Sequence, residues 1–213
     1  MTRTSFGSCL AVLTVSVAFG ASARAQDEGI KQVEALTKKC GATVEAIANT
    51  KAQLMRTADV YNSLMAEDAK DQKGLYKKLQ SEMATTEKRR AEISVRASDM
   101  KTEADALFKS WADAAVGISD ASLRKRSEDR LAKTKASYEE MGVVAQKAAD
   151  LYGPVMRDLE DQVTFLGHDL NPSAIASLKP NAAKVNGQVS ELAKRIDDTI
   201  TSANATCAAL KAQ

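Results

Sequence analysis

Between residues 33 and 210 the chain repeats apolar or small side chains at steps of three and four, and 213 residues hold only three prolines and ten glycines. That spacing draws one apolar stripe along each of a few very long helices, and such stripes are stable only against one another. No run of alternating β-branched residues reads as a strand. The expected fold is therefore all-α: an elongated antiparallel four-helix bundle of coiled-coil-like helices.

The first predicted helix covers residues 27–66, with Val33, Leu36, Cys40, Val44, Ile47, Leu54, Ala58, Tyr61 and Met65 on its stripe. A polar stretch at 67–74 reverses the chain. The second helix, 75–116, carries Leu75, Leu79, Met83, Thr86, Ile93, Ala97, Met100, Ala104, Leu107 and Trp111, with Arg90 interrupting the seam. Gly117-Ile118-Ser119-Asp120 is the next turn, where Ser119 or Asp120 can cap free amides. The third helix, 121–169, runs through Leu123, Leu131, Tyr138, Met141, Ala145, Ala148, Tyr152, Val155, Leu159, Val163 and Leu166. Gly153-Pro154 should kink it, because proline removes a hydrogen bond and crowds the preceding turn.

The segment DQVTFLGHDLNPSAIASL, residues 161–178, is the main hinge. Asn171 is a capping residue and Pro172 suits a first helical position. Beyond it Ile175, Leu178, Ala182, Val185, Val189, Leu192, Ile196, Ala203, Cys207 and Leu210 mark the last stripe. Pro180 should kink this helix or separate a short piece at 173–178. Helices of forty to fifty residues are about 60–75 Å long. With aromatics at 4% and alanine at many seam positions, they enclose a thin core. A slender bundle is expected, without a deep pocket.

Residues 1–25 have the pattern of a secretory signal: Arg3, an apolar run over 6–19, then Ala23-Arg24-Ala25 before Gln26. Cleavage there would leave a single domain over 26–213 and take Lys+Arg from 30 to 28, against 28 Asp+Glu. A formally neutral product lacks the basic field of a nucleic-acid binder. No later segment is apolar enough to span a bilayer. The expected location is the periplasm, with membrane contact at most peripheral.

Cleavage also removes Cys9 and leaves Cys40 near the start of the first helix and Cys207 near the end of the last. An even number of antiparallel helices brings those ends together, and an oxidising compartment preserves a bond between them. The alternative is two buried thiols.

Catalytic, cofactor and metal chemistry find no foothold. Neither GxxxxGK[ST] nor GxGxxG occurs, and the only histidine, His168, sits at a helix end where it complements the dipole. A nucleophile with its base and orienting acid would need a formed pocket. Neighbouring acids such as Glu139 and Glu140 suit a solvated helix face. The possible interaction surface is basic: Lys88, Arg89 and Arg90 on the second helix and Arg124, Lys125 and Arg126 on the third. Antiparallel neighbours could bring these together for an acidic partner; the plainer alternative pairs them with Glu128 and Asp129. The seam spacing of Trp111 places it in the core.

The segments ASLRKRSEDRLAKTKASYEEM (121–141) and PVMRDLEDQVTFLGHDLNPSAIASL (154–178) resemble the bacterial domain of unknown function 2959 (DUF2959). Trp111, Leu123, Arg124, Ser127, Tyr138, Asp161, Gln162, Phe165, His168 and Asn171 are among the matching residues. The resemblance covers the second half well and the first half in helical character. It implies an exported, coiled-coil-like helical protein and brings no activity. The expected role is a non-enzymatic envelope scaffold or adaptor that works through helix-face contacts with an envelope protein or with itself. The alternative is a small apolar-ligand or lipid-binding bundle opened at Gly153-Pro154.

Overall fold

In a computed structural model that describes residues 19–66 and 69–212, with side chains described from residue 28, the long stripes are long helices. These are α1 (Phe19–Met65), α2 (Gln72–Val116), α3 (Ala121–His168), α4 (Pro172–Ser177) and α5 (Lys179–Lys211). No strand occurs among the described residues. Most of the expected signal lies outside them, and α1 runs through the position before Gln26.

The starts of α2, α3 and α4 each have a capping side chain. Asp71 accepts the Gly74 amide at 2.8 Å, and Asp120, not Ser119, accepts the Leu123 amide at 2.9 Å. Asn171 accepts the Ala174 amide at 2.9 Å, with Pro172 next in the chain. Such caps each contribute about 1 kcal/mol. Pro180 separates rather than kinks: α4 ends before it and α5 begins one residue earlier, so its missing N–H falls in a first turn that has no helical acceptor. Pro154 leaves α3 a single unbroken helix. Its own side chain is exposed, while Tyr152, Val155 and Met156 around it are buried.

Around the bundle α1 packs against α2 and α5, and α3 against α5, while α2 and α3 make the loosest seam. Ion pairs mark the register: Lys39 with Asp99 at 2.8 Å, Lys51 with Asp197 at 2.6 Å, and Lys184 with Asp158 at 2.8 Å. Exposed pairs of this kind add little stability. The apolar core carries the weight, in two clusters. One gathers Leu54, Tyr61, Leu79, Leu159, Ile175 and Leu192 toward the α1–α2 turn. The other gathers Leu36, Cys40, Met100, Leu107, Met141 and Leu210 toward the opposite end. Each fully buried leucine contributes about 1.5–3 kcal/mol.

Several polar groups within the core are paired across helices. The Thr57 and Thr86 hydroxyls lie 2.9 Å apart, and the Gln53 amide donates to the Glu82 carboxylate. The Tyr61 hydroxyl donates to Gln162 Oε1, whose Nε2 donates to the Asp158 carbonyl at 3.1 Å. Tyr61 is fully buried. Burial pushes its hydroxyl up to about 12, against a smaller opposing effect of the Gln162 bond. The neutral phenol is thus the form the fold favours, stabilising below the ordinary tyrosine value near 10 and losing that contribution as pH rises toward 12.

The structure brings Cys40 and Cys207 to disulfide distance, with Cα atoms 6.0 Å apart across 167 positions of sequence. Closing so long a loop removes unfolded-state entropy worth about 5 kcal/mol at most. Reduction, or Cys40→Ala with Cys207→Ala, is expected to lower the melting temperature by on the order of 10 °C. Thermal scans with and without reductant measure this, and an unchanged midpoint would contradict it.

Tyr61→Phe should lose about 1–3 kcal/mol at neutral pH, because Gln162 keeps a buried unmet acceptor. Between pH 10 and 12 its stability should fall less steeply than that of the parent, as urea titrations across that window would reveal.

Candidate binding slot between α2 and α3

Where α2 and α3 pass each other loosely, the residues at their facing positions are small. Ala97 on α2 and Gly142 and Ala145 on α3 stand where a tight bundle would place leucine, and Thr43, Thr199 and Ala203 form part of the floor. Small residues on all four long helices at one level leave a slot of about 410 Å³ at the boundary of the two core clusters. Ile47, Ile93, Met100, Phe108, Tyr138 and Met141 make its apolar walls. Phe108 and Tyr138 meet edge to face with ring centroids 5.7 Å apart, which fixes one end of the opening. Cys40 also lines the floor, so the disulfide borders the slot.

Four charged residues rim the opening: Lys101 and Asp105 from α2, Lys135 and Glu139 from α3. Lys101 and Asp105 form an ion pair at 2.6 Å. Lys135 and Glu139, one turn apart, are both exposed and form no ion pair within the described residues. Burial raises the Tyr138 hydroxyl above its ordinary value, and the Asp105 carboxylate raises it further, so the phenol stays neutral. The slot offers apolar walls with a charged rim and no nucleophile–base pair. No group of three or more His, Cys, Asp or Glu able to hold a metal occurs among the described residues.

The expected basic surface is divided. Arg90 lies over the Tyr152 ring at 5.2 Å, whereas Trp111 Nε1 donates to Ser127 Oγ at 3.0 Å. The antiparallel register therefore holds Lys88, Arg89 and Arg90 about 40 Å along the bundle from Arg124, Lys125 and Arg126, at 1.5 Å per residue. The two clusters lie on consecutive helices, but a long antiparallel pair brings together only residues equidistant from its turn. Lys88 is exposed, and Arg89 is half-buried with Nε unpartnered. Arg124 Nε donates to the Ile118 carbonyl at 2.9 Å and so closes the α2–α3 turn. Lys125 pairs with Asp129 at 3.2 Å, and Arg126 is exposed.

Trp111 is half-buried rather than core, with the Arg130 guanidinium 5.8 Å from its ring. The cause is the length of α5, which ends at Lys211 while α1, α2 and α3 continue past it. Leu123, on the predicted third stripe, is left 54% exposed for the same reason. His168 is the exposed last residue of α3. Gly153 and Pro154 do not line the slot, which lies nearer the N-terminus of α3. No sequence signal marked it beyond the run of small seam residues.

A family model described as protein of unknown function (DUF2959) matches residues 23–210. The chain belongs to this family. The match takes in α1 and α2 as well as the second half, so all four long helices are part of the DUF2959 unit. No curated protein and no solved structure matches the chain. Among the described residues of this DUF2959 protein, no helix is long and apolar enough to cross a membrane.

The small residues of the slot give a direct stability test. A Cβ placed on Gly142 would meet nothing within 4 Å. Gly142→Ala should therefore raise unfolding free energy by about 1 kcal/mol through backbone entropy alone, as read from the urea midpoint.

Proposed function

We propose that this protein is a non-enzymatic, exported helical bundle that serves as a scaffold or adaptor in the periplasm through contacts of its helix faces and tips. The observation that carries this is the α2–α3 tip. Val116 and Leu123 are 73% and 54% exposed there, beside exposed Lys125 and Arg126. Large apolar side chains next to cationic ones suit a partner surface with apolar and acidic groups. The partner is an envelope protein or a second copy of the chain. The formally neutral mature sequence and the signal-like first 25 residues support export and leave nucleic acid aside.

A photo-crosslinking residue at Leu123 in cells is expected to capture one envelope protein or the chain itself. The same residue at exposed Asn204, on α5, should not. Equal yields from both positions, or recovery of the protein only from the cytoplasm, would overturn the proposal. A second reading, a bundle that binds a small apolar ligand, is favoured by the slot between α2 and α3. Its volume falls in the range of about 300–1,000 Å³ typical of small-molecule sites. The two roles are compatible, because a ligand in the loosest seam would alter the faces on either side.

A further inference from the structure

We propose that the slot between α2 and α3 holds the alkyl chain of a single-chain zwitterionic amphiphile, its anionic group on Lys135 and its cationic group on Glu139. The inference rests on the ligand-binding reading and adds the chemistry of the ligand. The walls are apolar and aromatic, so the inserted part is hydrocarbon. At about 410 Å³ the slot is at the small end of ligand sites and suits one chain rather than two.

The headgroup follows from the rim. On the α2 side the two charges satisfy each other, Lys101 with Asp105 at 2.6 Å. On the α3 side Lys135 and Glu139 offer one cation and one anion a single turn apart, and neither is paired among the described residues. A purely anionic head on Lys135 would meet the Glu139 carboxylate, and a purely cationic head on Glu139 would meet the Lys135 ammonium. A head bearing both charges satisfies both groups. The neutral Tyr138 phenol beside them adds no charge to disturb this balance.

Calorimetric titration of the purified, oxidised full chain with four dodecyl probes below their micellar concentrations tests the proposal. Their heads are phosphocholine, carboxylate, trimethylammonium and maltoside. Dodecylphosphocholine is expected to bind at least tenfold more tightly than the other three. Lys135→Ala or Glu139→Ala should remove that preference while leaving alkyl binding in place. Ala97→Leu or Gly142→Leu, on opposite walls, should abolish binding of all four. Circular dichroism identifies the variant that retains the parental fold, and that variant decides the point.

Equal affinity for the four heads, unaffected by Lys135→Ala and Glu139→Ala, would overturn the headgroup assignment and leave ligand binding intact. No binding of any probe, or binding unchanged in a folded slot-filling variant, would overturn the ligand-binding reading itself.

Discussion

The pairing of Cys40 with Cys207 is the constraint on which the bundle depends. It joins the first long helix to the last, and so fixes the one seam that chain connectivity leaves open. With α1 and α5 in register at that level, Lys51 meets Asp197 and Asn186 donates to Asn62 at 2.8 Å farther along. Turns hold α1 to α2, and α3 to α5 through α4. Only the α2–α3 seam has a turn at one end and little packing beyond it. The slot lies there because that seam is the least constrained.

A thin core needs another device to select one register, and the buried polar pairs supply it. Heptad-like stripes of alanine and leucine tolerate sliding by a turn or more, since one small apolar contact resembles the next. The Tyr61–Gln162 and Thr57–Thr86 contacts do not. Sliding would leave the Tyr61 hydroxyl and Gln162 Oε1 buried without a partner, at a cost of about 1–3 kcal/mol apiece, and would part Thr57 from Thr86, which keep only the bonds to carbonyls of their own helices. Tyr61 and Gln162 sit on α1 and α3, helices that are not adjacent around the ring. Their bond therefore ties the diagonal that the disulfide and the turns leave free.

The interruptions in the stripes acquire meaning from this arrangement. Arg90, which breaks the α2 seam, is exposed and covers the buried Tyr152 ring. Ala97, Gly142 and Ala145 look like ordinary close-approach residues in a sequence of this type. Their joint effect as a cavity depends on α2 and α3 failing to close over them, which no single helix records. Likewise Lys88 and Arg124 are neighbours in a list of basic clusters but lie at opposite levels of an antiparallel pair.

The features legible in the residues alone are local or topological. The 3.6-residue spacing requires long helices, Asp120 and Asn171 fix where α3 and the short α4 begin, and an even number of long antiparallel segments carries Cys40 to Cys207. These follow from backbone geometry and chain connectivity, which act within a few residues or through simple counting. The tertiary structure alone decided the differences in packing. The early end of α5 leaves Trp111 half-buried and Leu123 exposed, and the loose α2–α3 seam leaves a slot beside the disulfide. Those features depend on how closely two distant surfaces approach, a balance of many weak contacts that no single stripe contains.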